Sequence, residues 1–328
     1  MSLRKRIMPY VAALITSPRL RSLRRRLSEI RRRLAGRPHL LTIYLHPADP
    51  YALPLLDMLP RFLTDFPVET EFRVVLELPE DMYPARNLLD EYALMDAGRL
   101  AKLYDCPYPE NVTLPDPETT RLAARLRWLR EEREDFAQIA RDVIAAVLTG
   151  DSAQLQSMER AGCVLPEEEA DAKSAERMQQ LVEHGHYLSS AIYYGGEWYW
   201  GLDRLGHLAR RLARLGVGDP AAAESYLRQH QPMADSRQPA AGVMDFYFSF
   251  RSPFSYIGLG RTLELARRYN VKLNIKPVLP MVMRGLKVPR TKRFYILHAT
   301  KREAEAAGEG FGFLCDQVGV GVERCLAM

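Results

Sequence analysis

The chain has 328 residues, 47% of them hydrophobic and 27% charged. That balance excludes a disordered polymer and leaves room for two domains of ordinary size. The net charge of +5 is local: residues 1–38 carry twelve Arg or Lys against the single acid Glu29, so the remaining 290 residues sum to about −6.

The basic arm comes first. Arg4-Lys5-Arg6 precedes the apolar stretch Ile7–Ile15, which is broken by Pro9 and leads to no small-residue cleavage site, so export is not expected. No other window approaches the roughly twenty apolar residues that a membrane-crossing helix needs. Ser17-Pro18 starts a helix and Gly36-Arg37-Pro38 stops it, with Leu20, Leu23, Leu27, Ile30 and Leu34 at three-four spacing along one face. Arginines cover the rest of that helix. Residues 18–35 therefore suit docking on the chain's own acidic body, an anionic membrane surface, or nucleic acid. The last is unlike the sequence, because no aromatic residues interleave with the arginines and no recognition motif is present.

A first α/β unit follows. A strand is expected at Leu41–Leu45, a helix at Tyr51–Leu63 and a strand at Thr70–Leu76, a βαβ opening that makes parallel pairs. A helical block then runs from Ala85 to Glu183. Asp116-Pro117 caps its longest element, with Leu122, Leu126 and Leu129 on one face and Phe136, Ile139, Val143 and Val147 continuing after a phase change. A further helix runs from Pro166 to Gly185. Strands at Tyr187–Tyr194 and Trp198–Trp200 flank Gly195-Gly196, and a helix at Leu202–Leu215 closes the unit. The segment Gly216–Gly242, rich in Ala, Pro, Gln and Ser, reads as a linker with one short helix around Ala222–Gln229. The expected domains are an arm at 1–40, a first unit at 41–215, a linker at 216–242 and a second unit at 243–328.

The second unit opens on Phe246-Tyr247-Phe248-Ser249-Phe250-Arg251-Ser252-Pro253-Phe254-Ser255-Tyr256. Alternating aromatics make a strand, Ser252 is a candidate N-cap and Pro253 sets φ for the first helical turn. Such a junction gathers free amides and the positive end of a helix dipole, which favours a thiolate or another anion beside the Ser252 hydroxyl. Setting residue n against n+203 aligns Tyr44 with Tyr247, Asp49 with Ser252, Pro50 with Pro253, Tyr51 with Phe254, Tyr92 with Tyr295, Arg99 with Arg302 and Ala101 with Ala304. An offset held over nearly sixty residues reads as a tandem duplication. The second copy reads as truncated, since only 86 residues lie between Val243 and Met328 and the pattern stops inside its helical block.

Ser-Pro-Phe-Ser-Tyr directly after an aromatic strand resembles the active-site opening of the DsbA-like thioredoxin superfamily. The branch holding 2-hydroxychromene-2-carboxylate isomerases and kappa-class glutathione transferases, in which a Ser replaces the first Cys of the redox pair, is the nearest in kind. The order βαβ, helical block, ββα is that of a thioredoxin-like fold with a helical insertion, so the expected architecture is α/β with two tandem copies and an N-terminal amphipathic helix. The resemblance implies Ser252 as the reactive-site residue, holding the sulfur of glutathione, with Pro253, Phe254, Lys292 and Tyr295 as further glutathione contacts and a small molecule as substrate. Lys292, Tyr295 and Arg302 fit the family's pattern, but Ala299 stands where an acid belongs. The first copy keeps Tyr92, Asp96 and Arg99, replaces the Lys by Leu89 and the Ser by Asp49, and carries Gly185-His186-Tyr187-Leu188-Ser189 where the family places a cis-Pro. Asp49 would repel a thiolate.

Remaining positions read as structural. Tyr92, Asp96 and Arg99 lie one helical turn apart and suit a salt-linked face. Asp203 can cap the last helix while Trp198 and Trp200 share a strand face. Cys106, Cys163, Cys315 and Cys325 share no two-residue spacing, and the seven His residues show no helical metal spacing, so no metal and no disulfide exchange are expected, and low cysteine use fits the cytoplasm. Two functions follow: a glutathione-linked isomerase or transferase acting at Ser252, or a tandem thioredoxin-like binding or scaffolding module that has lost its chemistry. An incomplete second copy would expose apolar surface and favour a homodimer.

Overall fold

The computed structural model describes residues 3–78, 82–83, 85–126, 135–160, 164–228, 242–315 and 318–327. The expected positions of Leu129 and Cys163 lie outside them. The backbone falls into two compact units: a central unit, Leu27–Gln231, and an outer unit formed by Met1–Arg26 with Pro232–Met328.

The central unit is built on β1 (Leu40–Leu45), α3 (Ala52–Asp65) and β2 (Glu69–Val74), following the arm helices α1 (Leu3–Ile15) and α2 (Pro18–Leu34). β1 and β2 pair in parallel from Leu40↔Glu69 to Leu45↔Val74. The helical block comprises α4 (Arg86–Leu103), α5 (Pro117–Arg125), α6 (Phe136–Thr149), α7 (Ser152–Arg160) and α8 (Glu167–Glu183). The hairpin β3 (Ala191–Tyr194) and β4 (Glu197–Trp200) then adds to β1 on the side away from β2, giving the order β2-β1-β3-β4 with β3 antiparallel to both neighbours. A 3-10 turn at Leu202–Arg204 leads into α9 (Leu205–Ala213). This is the strand order and connection pattern expected of a thioredoxin-like unit.

β1 is central to that sheet, so its side chains are covered on both faces: Leu41, Ile43 and Leu45 are fully buried, and Tyr44 nearly so. Leu55, Leu59 and Phe62 of α3, Val143 and Val147 of α6, and Leu208 and Leu212 of α9 fill the core against them. Fully burying each such side chain contributes about 1.5–3 kcal/mol. Arg211 on α9 ties the hairpin down. Its guanidinium donates to the carbonyls of Tyr194 (2.7 Å) and Gly195 (2.9 Å) and lies over the Tyr194 ring. Gly195 has φ +51°, and a Cβ there would stand 2.5 Å from Arg211 Nη2, so a larger residue would displace the guanidinium that ties the hairpin down.

Three expectations change in this unit. The helix opened by Asp116, whose carboxylate accepts from the Thr119 amide at 2.8 Å, ends at Arg125, because Leu126 turns to extended backbone and bridges Val164 instead of continuing the helix. The short helix expected in the linker is present as α10 (Pro220–Arg228), but it is part of the unit, because it packs on α9: Tyr226 is buried against Phe62 and Phe66, and its hydroxyl donates to Asp65 at 2.9 Å. Asp203 does not cap α9; it pairs with Arg204 at 2.5 Å.

The outer unit holds β5 (Val243–Phe248), α11 (Pro253–Arg268), β6 (Lys272–Pro277), α12 (Arg290–Ala306) and α13 (Val320–Leu326). β5 and β6 pair in parallel from Val243↔Lys272 to Phe248↔Pro277. Each of these pairs is a β1–β2 pair shifted by 203 residues. α12 likewise sits within a residue of α4 under the same shift. Among the described residues this sheet has two strands. The edge of β5 at Asp245–Tyr247, equivalent to the stretch of β1 that pairs with β3, carries no third strand there, and Val243, Tyr247 and Ile275 are about half exposed or more. The arm joins this unit at the corner between α1 and α2. Thr16 is buried with its hydroxyl on the Ala12 carbonyl, Tyr10 meets Phe313 edge-on at 5.1 Å, and Arg21 pairs with Glu305.

Candidate functional site

In the central unit the strand-to-helix junction is occupied by the protein itself. Asp49, three residues before α3, accepts hydrogen bonds from the Ser189 hydroxyl at 2.5 Å, the Ser190 hydroxyl at 2.7 Å and the Tyr51 amide at 3.0 Å. Ser189 and Ser190 form the approach to β3, and Ser190 reaches the carboxylate with φ +51°, a left-handed conformation uncommon for a residue with a Cβ. The described residues contain no cis peptide bond. Burial pushes the Asp49 carboxyl above its usual range despite the three donors, and the Asp49 charge in turn adds to the burial that raises Tyr83 and Tyr108. Tyr83 spends its hydroxyl on the Tyr187 carbonyl at 2.7 Å.

His46 completes the closure. Its Nε2–H donates to the Leu76 carbonyl at 2.8 Å and its Nδ1 accepts from the Ala48 amide at 3.1 Å, which fixes the neutral tautomer; burial pushes its pKa down to about 4. Tyr51 donates to Asp96 at 2.8 Å and Tyr92 reaches the other oxygen at 3.4 Å. The expected salt-linked face is therefore a pair of tyrosine hydroxyls on Asp96, while Arg99 is exposed and forms no ion pair among the described residues. Asp49, the His46 imidazole and the Tyr51 and Tyr83 hydroxyls are each hydrogen-bonded within the protein.

The outer junction differs. Ser252 is the N-cap of α11 with extended backbone (φ −85°, ψ 117°), and its hydroxyl accepts from the Ser255 amide at 3.2 Å. Ser255 in turn accepts from the Ser249 amide at 3.2 Å. Accepting through a lone pair leaves the Ser252 proton available to an external acceptor. Ser252 and Pro253 are half-buried, and Phe250 and Phe254 are exposed on either side. Lys292 and Tyr295 stand on α12, which packs against α11. Tyr295 is buried and Lys292 half-buried, with desolvation lowering the Lys292 pKa. Ala299 and Arg302 share the buried face of α12 with Tyr295, so the position where the sequence resemblance called for an acid holds a fully buried methyl group.

The sequence singled out Asp49 and Ser252 but not the Ser189-Ser190 pair as partners. The available signal was a carboxylate at a junction with no cation nearby, which required donors from elsewhere. Among the described residues no cluster of three or more His, Cys, Asp or Glu could hold a metal. Cys106, Cys315 and Cys325 are unpaired thiols, and burial pushes that of Cys106 up to about 11.

No family model matches the sequence, and no curated protein matches it. Among solved structures, the chain is similar to 2-hydroxychromene-2-carboxylate isomerase at 19% identity, over 54% of this chain and 96% of that one, with a TM-score of 0.41. It is also similar to a candidate protein disulfide isomerase from Nitrosomonas europaea at 15% identity, over 59% of this chain and 99% of that one, with a TM-score of 0.37. At such scores neither likeness fixes the fold, which rests on the strand order and connections described above.

Proposed function

We propose that this chain is a tandem DsbA-like protein whose thiol-binding position is Ser252 and whose central unit has lost that chemistry. The identical strand register of β1–β2 and β5–β6 under one shift supports the duplication. The observation that carries the site is the Ser252 hydroxyl, which caps a helix of sixteen residues through its lone pair and keeps its proton for an acceptor. A glutathione thiolate is such an acceptor, and it gains from the α11 amides. Lys292, whose ammonium is disfavoured by desolvation, gains from an anionic ligand, and Phe254 offers apolar contact.

The supported reaction class is glutathione-linked isomerisation or transfer on a small molecule. In isomerisation the thiolate adds to the β-carbon of an enone, forming a C–S bond and shifting the alkene electrons to an enolate. The former double bond rotates, and collapse of the enolate breaks the C–S bond and restores thiolate, with no redox change. Calorimetry with reduced glutathione on the full chain should show binding that Ser252→Ala weakens by about tenfold, the worth of one charge-assisted hydrogen bond. Equal affinity in the two proteins removes Ser252 from the site.

A second reading is a binding module without chemistry. It is favoured by the Asp49–Ser189–Ser190 closure, which fills the central junction with the protein's own groups. Absence of glutathione binding in the unaltered chain would select it.

A further inference from the structure

The arm helix α2 faces the wrong way for a soluble amphipathic helix. Arg21, Arg25, Ser28, Glu29 and Arg32 lie along one side at helical spacing, and this polar side is the partly covered one. Arg21 pairs with Glu305. Glu29 takes Arg32 at 2.7 Å and Arg33 at 2.6 Å, and hydrogen bonding to Arg32 above all holds its carboxyl down to about 2. Arg32 also donates to the Arg37 carbonyl at 2.6 Å.

The apolar stripe lies on the opposite side and is uncovered. Leu23, Leu27, Ile30 and Leu34 are 52%, 46%, 52% and 84% exposed, and α2 contains no buried residue. Arginines border this stripe on both flanks: Arg19, Arg26 and Arg33 on one, Arg24 and Arg31 on the other, all exposed. An apolar stripe set between two rows of arginine is the form of a helix lying in a lipid headgroup layer, where the apolar side chains enter the acyl boundary and the long basic chains reach the phosphates. No helix among the described residues is long and apolar enough to cross a membrane.

The same charges argue against the other occupants. The stripe has heptad spacing, but in a pair of α2 helices the flanking positions would set arginine against arginine along both sides, parallel or antiparallel. A nucleic-acid arm would present its guanidinium groups at the centre of the outer side, where this helix presents leucine and isoleucine. We propose that α2 docks this chain peripherally on an anionic lipid surface, with Leu23, Leu27, Ile30 and Leu34 toward the acyl chains and the five flanking arginines on the headgroups.

The test is co-sedimentation of the full chain with vesicles of phosphatidylcholine alone or mixed with phosphatidylserine. Binding to the mixed vesicles should exceed that to phosphatidylcholine by about tenfold or more and fall steeply as salt rises. The double variant Leu27→Ser/Ile30→Ser should lose about tenfold of that binding with its melting temperature unchanged, since both side chains are exposed. Arg24→Gln/Arg31→Gln should lose a similar factor on phosphatidylserine only. Equal binding by the serine variant, or equal binding to both vesicle types, overturns the proposal. So does duplex DNA binding that survives the serine changes and fails with the glutamine ones, or a dimer abolished by Leu27→Ser/Ile30→Ser.

Discussion

β1 and β5 share one pairing register and direction under a shift of 203 residues, and they differ in almost everything that a neighbour supplies. β1 lies between β2 and β3, and its core residues are fully buried. β5 has β6 on one side and, among the described residues, an open edge on the other, and its aromatics alternate between half-buried and exposed. The junctions that follow them diverge in the same way. At Asp49 the loop leading into β3 supplies two hydroxyls and closes the site, whereas at Ser252 the hydroxyl accepts from the Ser255 amide of its own helix. A repeated pattern thus specifies a repeated backbone, while burial and chemistry depend on what the rest of the unit brings to it.

Truncating equivalent side chains separates the two strands most strongly. Ile43→Ala should cost about 3 kcal/mol, as expected for a fully buried aliphatic in a packed core. Phe246→Ala, its counterpart shifted by 203, should cost only about 1 kcal/mol although it deletes a larger side chain, because Phe246 is half-buried. Urea titration, with peptide-resolved hydrogen exchange to assign each loss to its unit, measures both. Similar costs at the two sites would mean that β5 is covered as β1 is.

Acid distinguishes the junctions next. His46 has a folded pKa of about 4 against an ordinary value of 6.5. Above pH 6.5 the imidazole is neutral in both states and its contribution is complete. As pH falls from 6.5 toward 4 the unfolded chain takes a proton that the folded one refuses, so stability is lost across that window. The loss between pH 7 and pH 5 should be about 2 kcal/mol in the central unit. Ser249 occupies the equivalent outer position and titrates nothing. A pH slope that persists unchanged in His46→Gln would exclude His46 as its source.

Asp49→Ala should cost about 2 kcal/mol by leaving the Ser189 and Ser190 hydroxyls and the Tyr51 amide without their acceptor. Ser252→Ala removes one cap and should cost about 1 kcal/mol. Thermal melts of the pair test whether the two junctions carry different loads. The smallest effect is in exchange rates. Amides of β1 at Thr42–Tyr44 should all be slow, while alternate amides of β5 at Asp245–Tyr247 should exchange rapidly from the open edge. Uniform protection on β5 would reveal a partner strand on that edge.

Much of this fold is local chemistry that a sequence displays. Alternating apolar residues at Leu41–Leu45 and Phe246–Phe250, Pro at the first turn after Ser252, and Asp before Pro117 dictate strands, a helix start and a cap within a few residues of one another. The 203-residue offset announced that two segments would adopt one backbone. What lay beyond reach was everything that depends on distant partners. Ser189 and Ser190 sit 140 and 141 residues from Asp49, the short helix of the linker gave no sign that Tyr226 would pack on Phe62, and α2 showed its stripe in the sequence but not which side would be covered. Periodicity sets which residues share a face. Only the tertiary structure decides what that face meets, because burial is a property of the neighbours that long-range packing supplies.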